Sequence, residues 1–92
     1  MTRLEEIQAI IDKYDLKQKS RYMHLIYRRY YLYKVLKRDG MTLSQIGRLF
    51  GKTHASIING INKHDIYMKY KDSAYMLHTL ELREQFVLLQ YY

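Results

Sequence analysis

Residues 54–63 carry short polar side chains at a spacing that places them along one side of a helix. Ile57 and Ile61 define the buried side of the helical wheel, and Ile58 lies at its edge. The outward positions are Ala55, Ser56, Asn59, Asn62 and Lys63. An asparagine carboxamide can form two hydrogen bonds to N6 and N7 of adenine, and an alanine methyl group can contact the methyl group of thymine. The pattern therefore predicts that Asn59 and Asn62 read base edges, with Ala55 and Ser56 beside them.

Basic and hydroxyl side chains around this segment suit contacts to a phosphate backbone. Lys52, Thr53 and Ser56 lie at the start of the expected helix, where backbone N–H groups point outward and attract anions. His54 falls near the buried side of the wheel, so packing against the preceding helix competes there with base or phosphate contact. The other candidates for phosphate or minor-groove contact are Arg28, Arg29, Lys34, Lys37, Arg38, Arg48 and Lys63.

Arginines and tyrosines alternate within residues 20–37. Arg28 and Arg29 stand among five aromatic residues, which are Tyr22, Tyr27, Tyr30, Tyr31 and Tyr33. Such a mixture could lie along a phosphate backbone, or its rings could stack on unpaired bases of RNA or single-stranded DNA. The alternative is that most of these tyrosines are buried or half-buried in the core.

The net charge of the chain is +7, from 16 basic and 9 acidic residues, and this charge is unevenly distributed. Residues 17–71 contain thirteen basic and two acidic residues, whereas the segments 1–16 and 72–92 are each net acidic. A basic region centred on the polar helix is typical of a nucleic-acid partner. Binding that neutralises several phosphates would weaken steeply with added salt.

The residues before the polar helix predict a shorter helix and a tight turn. Thr42 and Gln45 form a capping box, Gly47 would let the next helix approach closely, and Gly51 stands where a positive φ would end the helix. Thr53 then caps the start of the second helix. The expected buried stripe of the first helix is Leu43, Ile46 and Phe50. These spacings are typical of a helix-turn-helix, the alternative being helix-end glycines in another bundle.

The whole chain is expected to be one all-α domain, a small helical bundle that contains this motif. It has no proline, and its four glycines lie between positions 40 and 60. Helices are predicted over residues 2–14, 20–37, 43–50, 54–63 and 73–90. Within the domain 1–92, we expect residues 1–16 to form a support helix, 20–64 the core of the motif, and 73–92 a packing or dimerisation helix. That last segment is apolar on more than one side, so either a homodimer through residues 75–92 or folding back onto the first helix would bury it.

The composition disfavours several classes of protein. Cysteine is absent and the four histidines lack the spacing of zinc ligands, so no metal is expected. Asp39 and Asp65 are the only carboxylates within residues 17–71, so we expect no enzyme, no cofactor and no small-molecule substrate. No apolar run has the length of a membrane span and no signal peptide is visible. The expected location is therefore the cytoplasm, which would be the host cytoplasm if the gene is viral.

Three stretches of the chain form a recognisable pattern: YLYKVL at 31–36, TLSQIGRLFG at 42–51 and HASI at 54–57. The pattern resembles the carboxy-terminal DNA-binding domain of the bacterial replication initiator DnaA, which has a YLxxxL helix, an SLxxIGxxFG segment and a DH[TS]TV-like start of the recognition helix. The resemblance covers about residues 20–64. It implies the helix-turn-helix fold and a role in binding double-stranded DNA.

The resemblance also implies roles for individual residues. His54, Ala55 and Ser56 would read the major groove, and an arginine of the preceding long helix would reach the minor groove. Counting back from Ile46 without gaps places Arg28 at the position of the minor-groove arginine. Aligning residues 31–36 with the family's YLxxxL helix places Ile26 there instead. The chain departs from the family's pattern in two ways. Its turn is one residue shorter and has no aspartate before the histidine, and the chain contains no ATPase phosphate-binding loop. The expectation is a stand-alone relative of the kind found among phage or mobile-element proteins.

These observations predict a sequence-preferring double-stranded DNA-binding protein that regulates transcription or replication by occupying a site. Two other interpretations stay open. One is an adaptor that uses the same fold to bind a host or viral replication or transcription protein. The other is an RNA-binding protein.

Overall fold

The computed structural model describes residues 2–18 and 21–87, and these residues fold into helices with no strand. In chain order, the helices are α1 (Arg3–Tyr14), α2 (Met23–Arg38), α3 (Leu43–Phe50), α4 (His54–Lys69), α5 (Ser73–His78) and α6 (Leu80–Gln85). The predicted all-α class is confirmed.

Local sequence signals set the starts of α1 and α3. Thr2 caps α1 and forms a capping box with Glu5, and Thr42 forms the predicted capping box with Gln45 at the start of α3. In each box the threonine side chain accepts from the backbone N–H three residues later, so one of the helix's unpaired donors is satisfied. The predicted ranges of these two helices hold to within a residue.

The other predicted boundaries need correction. Helix α2 begins at Met23 rather than near residue 20, and α4 continues to Lys69 rather than ending at Lys63. The predicted helix 73–90 is two short helices, interrupted at Thr79, whose hydroxyl donates to the carbonyl of Tyr75 at 2.6 Å. A hydroxyl that bonds back to its own helix often bends or ends the helix. Residues 88–90 of that prediction lie outside the described residues.

Helix α2 runs through the centre of the bundle. Its buried residues form one core cluster with side chains from α1, α3, α4 and the end of α6. Each of these helices therefore buries apolar side chains against α2. The core residues of α2 are Tyr31, Leu32, Tyr33, Val35 and Leu36. Their partners in the cluster include Ile7, Ile11, Ile46, Phe50, Ile57, Leu82 and Phe86. Of the residues predicted to be buried in α3 and α4, Ile46, Phe50 and Ile57 are confirmed as fully buried, and Leu43 is half-buried.

A glycine in the middle of α4 brings α4 close to α2. A Cβ atom added at Gly60 would lie 2.6 Å from Cδ2 of Tyr33 and 2.8 Å from Cδ1 of Tyr30. Real Cβ atoms do not approach other atoms this closely, so only glycine permits this helix spacing without a shift. The two helices thereby meet over the rings of the tyrosines.

Aromatic rings anchor the end of α4 and the start of α5 to α2. His64 is fully buried, its Nδ1 lies 2.5 Å from the hydroxyl of Tyr75, and its ring packs edge-on against Tyr31. Tyr27 packs edge-on against both Tyr67 and Tyr75. This network explains why α4 extends beyond its predicted end, because its final turns are held by tertiary contacts that periodicity does not show.

The carboxy-terminal segment folds back within its own chain as far as residue 87. Leu82 and Phe86 are buried in the core, and the hydroxyl of Tyr31 donates to the carbonyl of Phe86 at 2.7 Å. The hydroxyl of Tyr14 also donates to Glu81 at 3.3 Å, which links α1 to α6. The sequence left a homodimer and packing within one chain as alternatives for this segment. The described residues up to 87 show packing within one chain.

Candidate nucleic-acid interface

Helices α3 and α4 form a helix-turn-helix unit with a short connection. Gly51 has a φ of +64°, as predicted for the residue that ends α3, and the N–H of Lys52 donates to the carbonyl of Gly47 at 2.8 Å. A Cβ atom at Gly47 would lie 2.7 Å from the carbonyl oxygen of Lys52. Glycine at position 47 therefore gives the chain room where it enters α4. Thr53 caps α4 as predicted, because its hydroxyl accepts from the N–H of Ser56 at 3.2 Å.

The outward face of α4 is open to solvent. Ile57 is fully buried and Ile61 half-buried, whereas Ile58 is 42% exposed. The residues predicted to read bases are all exposed: His54, Ala55, Ser56, Asn59 and Asn62. Of the two alternatives for His54, the exposed position agrees with contact to a partner rather than with burial against α3.

Helix α3 and the first half of α4 carry no acidic side chain. Residues 40–64 contain no aspartate or glutamate, and the side chains of Arg48 and Lys63 are exposed there. Lys37 is also exposed, near the end of α2. A surface of polar groups and cations without carboxylates attracts an anionic partner.

Arg29 is almost entirely buried beneath this surface, a position that does not support its prediction as an exposed phosphate contact. Its side chain is only 6% exposed. The guanidinium donates to the carbonyl of Leu16 at 2.8 Å and to that of Gln18 at 2.6 Å. A buried guanidinium needs such acceptors, and here they tie the connection between α1 and α2 to the middle of α2. Arg29 is a structural residue.

Three other predicted phosphate contacts bind the protein itself in this structure. Lys34 forms an ion pair with Asp65 of α4 at 2.9 Å, and Arg38 donates to the carbonyl of Val87 at 3.2 Å. The ammonium of Lys52 lies 3.3 and 3.4 Å from two carbonyl oxygens in the connection between α1 and α2. These cations contribute to the potential of the surface, but their donors already have acceptors.

Arg28 is held against α1. Its guanidinium lies 4.5 Å from the ring centroid of Tyr14 and donates to the carbonyl of His24 at 2.9 Å. The minor-groove role that the resemblance gives to Arg28 remains a prediction, and it would require the side chain to leave these contacts.

A groove of about 220 Å³ lies between α2 and the first half of α4. Its lining residues are Ile26, Arg29, Tyr30, Tyr33, Lys52, Ser56 and Asn59. Four of the predicted nucleic-acid contacts, Arg29, Lys52, Ser56 and Asn59, thus line a concave surface together with Tyr30 and Tyr33. Both tyrosines belong to the aromatic set for which the sequence left backbone contact, base stacking and burial in the core as alternatives. The signal for this arrangement was Gly60, because glycine inside a helix often marks a close approach of another element.

The phenols of the groove stay protonated at physiological pH. Burial raises the pKa of Tyr33 to about 12, while the nearby Arg29 guanidinium acts in the opposite direction with a smaller effect. Burial also raises the pKa of Tyr30, and Tyr67 adds to that increase. Both side chains therefore present neutral hydroxyl groups that can donate hydrogen bonds.

Comparison with known protein families, with characterised proteins and with solved structures finds no match. Among the described residues, no helix has the length and apolar character to cross a membrane. The same residues contain no group of three or more histidine, cysteine, aspartate or glutamate side chains placed to hold a metal ion.

Proposed function

We propose that this protein binds double-stranded DNA with a sequence preference and regulates transcription or replication by occupying its site. The observation that carries the proposal is the outward face of the first half of α4. It is polar, exposed and free of carboxylates, and it belongs to a helix-turn-helix unit that the core holds firmly through Ile57 and Gly60. A helix presented in this way fits the major groove of B-form DNA, which is about 12 Å wide.

Asn59 and Asn62 are the proposed base readers. Both carboxamides are exposed on the same face, where each could pair with adenine. His54, Ala55 and Ser56 lie at the start of the helix, in the positions that the likeness to the DnaA domain assigns to the major groove. That likeness also supports control of replication or transcription as the setting of this activity.

The proposed contacts to phosphate groups come from exposed donors around this face. Arg48 projects from α3, Lys63 lies at the far end of the reading face, and Lys37 lies at the end of α2. The capped start of α4 at Thr53 adds backbone N–H groups and the positive end of the helix dipole. These contacts would fix the orientation of α4 without reading sequence.

The test is selection of bound duplexes from a random pool, followed by anisotropy titrations on the selected duplex. We expect steep weakening of binding with added salt. Asn59→Ala should relax the preference at one base pair, at a cost of about 1–3 kcal/mol on the preferred sequence. The control is Gln85→Ala on α6, an exposed polar residue outside the surface, which should change nothing. No enrichment from the pool, or tighter binding to single-stranded RNA, would reject the proposal.

A protein partner is the second candidate, favoured by apolar side chains exposed beyond the reading half of α4. These residues are Ile66, Tyr70, Leu77, Leu80 and Val87, all at least 46% exposed. The partner that we propose for this surface is a second copy of the chain, which would bind through residues 75–92. The adaptor function would instead require a different protein at the same surface. Sedimentation at rising concentration, with Leu77→Asp as the variant, tests the homodimer. A monomer at every concentration would reject it.

A further inference from the structure

The hydroxyl of Tyr33 lacks an acceptor within the part of the chain that the structure describes. The side chain is 3% exposed, and its ring packs edge-on against the ring of Phe50 with 4.8 Å between the ring centroids. Buried phenols usually have a hydrogen-bond partner, as the hydroxyl of Tyr31 does at the carbonyl of Phe86. Tyr33 lines the groove between α2 and α4. A buried donor without an acceptor, on a residue that lines a concave surface, indicates a position for a ligand atom.

The surroundings of this hydroxyl favour an acceptor with negative charge. Lys52 and Ser56 line the same groove, and none of its lining residues among those that the structure describes carries a carboxylate. Arg29 lies close enough to Tyr33 to influence its titration, so positive potential reaches the phenol. The remaining wall is formed by Ile26 and the ring of Tyr30, which offer an apolar surface beside the polar groups.

We propose that this groove binds one phosphate group of a nucleotide, with the Tyr33 hydroxyl donating to a phosphate oxygen and the Ile26 and Tyr30 wall contacting the attached sugar. The phosphate can belong to a DNA strand that flanks the major groove, or to a free nucleotide that occupies the same place. For the DNA strand, this inference rests on the proposed function. It makes Tyr33 a backbone contact that orients α4 beside the bases read by Asn59.

The experiment compares Tyr33→Phe with the wild-type protein. This substitution removes a hydroxyl that has no partner among the described residues 2–18 and 21–87, so the melting temperature should stay unchanged. The affinity for duplex DNA should fall about tenfold and equally for all sequences. The dependence of binding on salt should stay the same, because a neutral donor releases no counterions. The matched control is Tyr31→Phe, whose lost hydroxyl bonds to Phe86 inside the core; its folded form should bind DNA like the wild type.

A second arm titrates wild-type protein and Tyr33→Phe with deoxythymidine monophosphate and follows binding by calorimetry. Binding that depends on Tyr33 supports the site with a free nucleotide, even where no duplex binds, and that combination would reject only the proposed function. Duplex binding that is insensitive to Tyr33, together with no Tyr33-dependent nucleotide binding, overturns this inference and leaves the proposed function standing. Absence of both duplex and nucleotide binding overturns both.

Discussion

The two halves of α4, residues 54–63 and 64–69, belong to one helix but face different surroundings. The first half buries Ile57 and presents exposed polar side chains. The second half begins with the fully buried His64, which contacts Tyr75 and Tyr31. The difference indicates a division of roles, in which the second half anchors the helix so that the first half can stay open and still be held rigidly. Substitutions in the two halves should therefore have separable effects.

The largest expected effect is on stability, from His64→Ala. This change removes a buried ring and leaves a cavity between α2, α4 and α5, so the free energy of unfolding should fall by about 3 kcal/mol. Urea unfolding followed by circular dichroism measures it. Asn62→Ala, an exposed change in the other half of the same helix, is the control and should stay within about 0.5 kcal/mol of wild type. Equal losses in both variants would remove the distinction between the halves.

The next effect is a loss of stability in alkali, which probes the tyrosine beneath the first half of α4. The pKa of Tyr33 is about 12 in the folded protein, against about 10 in an unfolded chain. The folded state therefore retains its proton longer, and the stabilisation is complete below about pH 10 and is lost as the pH rises towards 12. The loss should reach about 3 kcal/mol at its limit, because each pKa unit corresponds to about 1.4 kcal/mol.

Urea unfolding at about pH 8 and about pH 11 measures this effect. Tyr33→Phe should lose less stability over that interval than the wild type does. Part of the loss should remain in the variant, because burial also raises the pKa values of Tyr27 and Tyr30. An identical decline in both proteins would show that Tyr33 titrates as an exposed phenol.

A smaller loss is expected from Tyr31→Phe. It removes the hydrogen bond to the carbonyl of Phe86 and should lower the free energy of unfolding by about 1 kcal/mol. Tyr33→Phe at neutral pH should lose nothing, although the two tyrosines are two positions apart and equally buried. Thermal melts of both variants make the comparison. A larger loss in Tyr33→Phe than in Tyr31→Phe would place the missing acceptor inside the protein.

The smallest effect concerns DNA affinity and charge. Lys63→Ala should weaken binding several-fold on every duplex and lower the salt dependence by about one counterion, with no change in stability. Lys52 is also a predicted phosphate contact, but Lys52→Ala is a less specific test because the Lys52 ammonium also bonds to carbonyl groups in the connection between α1 and α2. Anisotropy titrations at several salt concentrations measure both. An unchanged salt dependence in Lys63→Ala would exclude a phosphate contact at that position.

The sequence predicted those parts of the fold that depend on neighbouring residues. Thr42 with Gln45, Gly51 and Thr53 define helix ends through local hydrogen bonds and a positive φ, and their structures agree. It failed where long-range contacts decide the structure. The burial of Arg29 depends on two carbonyl groups more than ten residues away, which periodicity does not reveal.

The same limit applies to the candidate site. The exposed face of α4 was predictable because a helical wheel needs only Ile57 and its neighbours to orient the helix. The groove was not predictable, since it depends on how Gly60 sits against Tyr30 and Tyr33 of another helix. For both tyrosines the sequence left nucleic-acid contact and burial in the core as alternatives. Tyr33 is distinguished by a hydroxyl that has no acceptor among the described residues.

The most direct test of the central claim is a titration of isotope-labelled protein with a selected duplex, followed through the backbone amide resonances in NMR spectra. We predict that the largest changes fall on residues 52–63, with little change in α5 and α6. Changes concentrated around Tyr70 and Leu77, with the first half of α4 unaffected, would contradict the claim that this half of the helix is the surface that binds DNA.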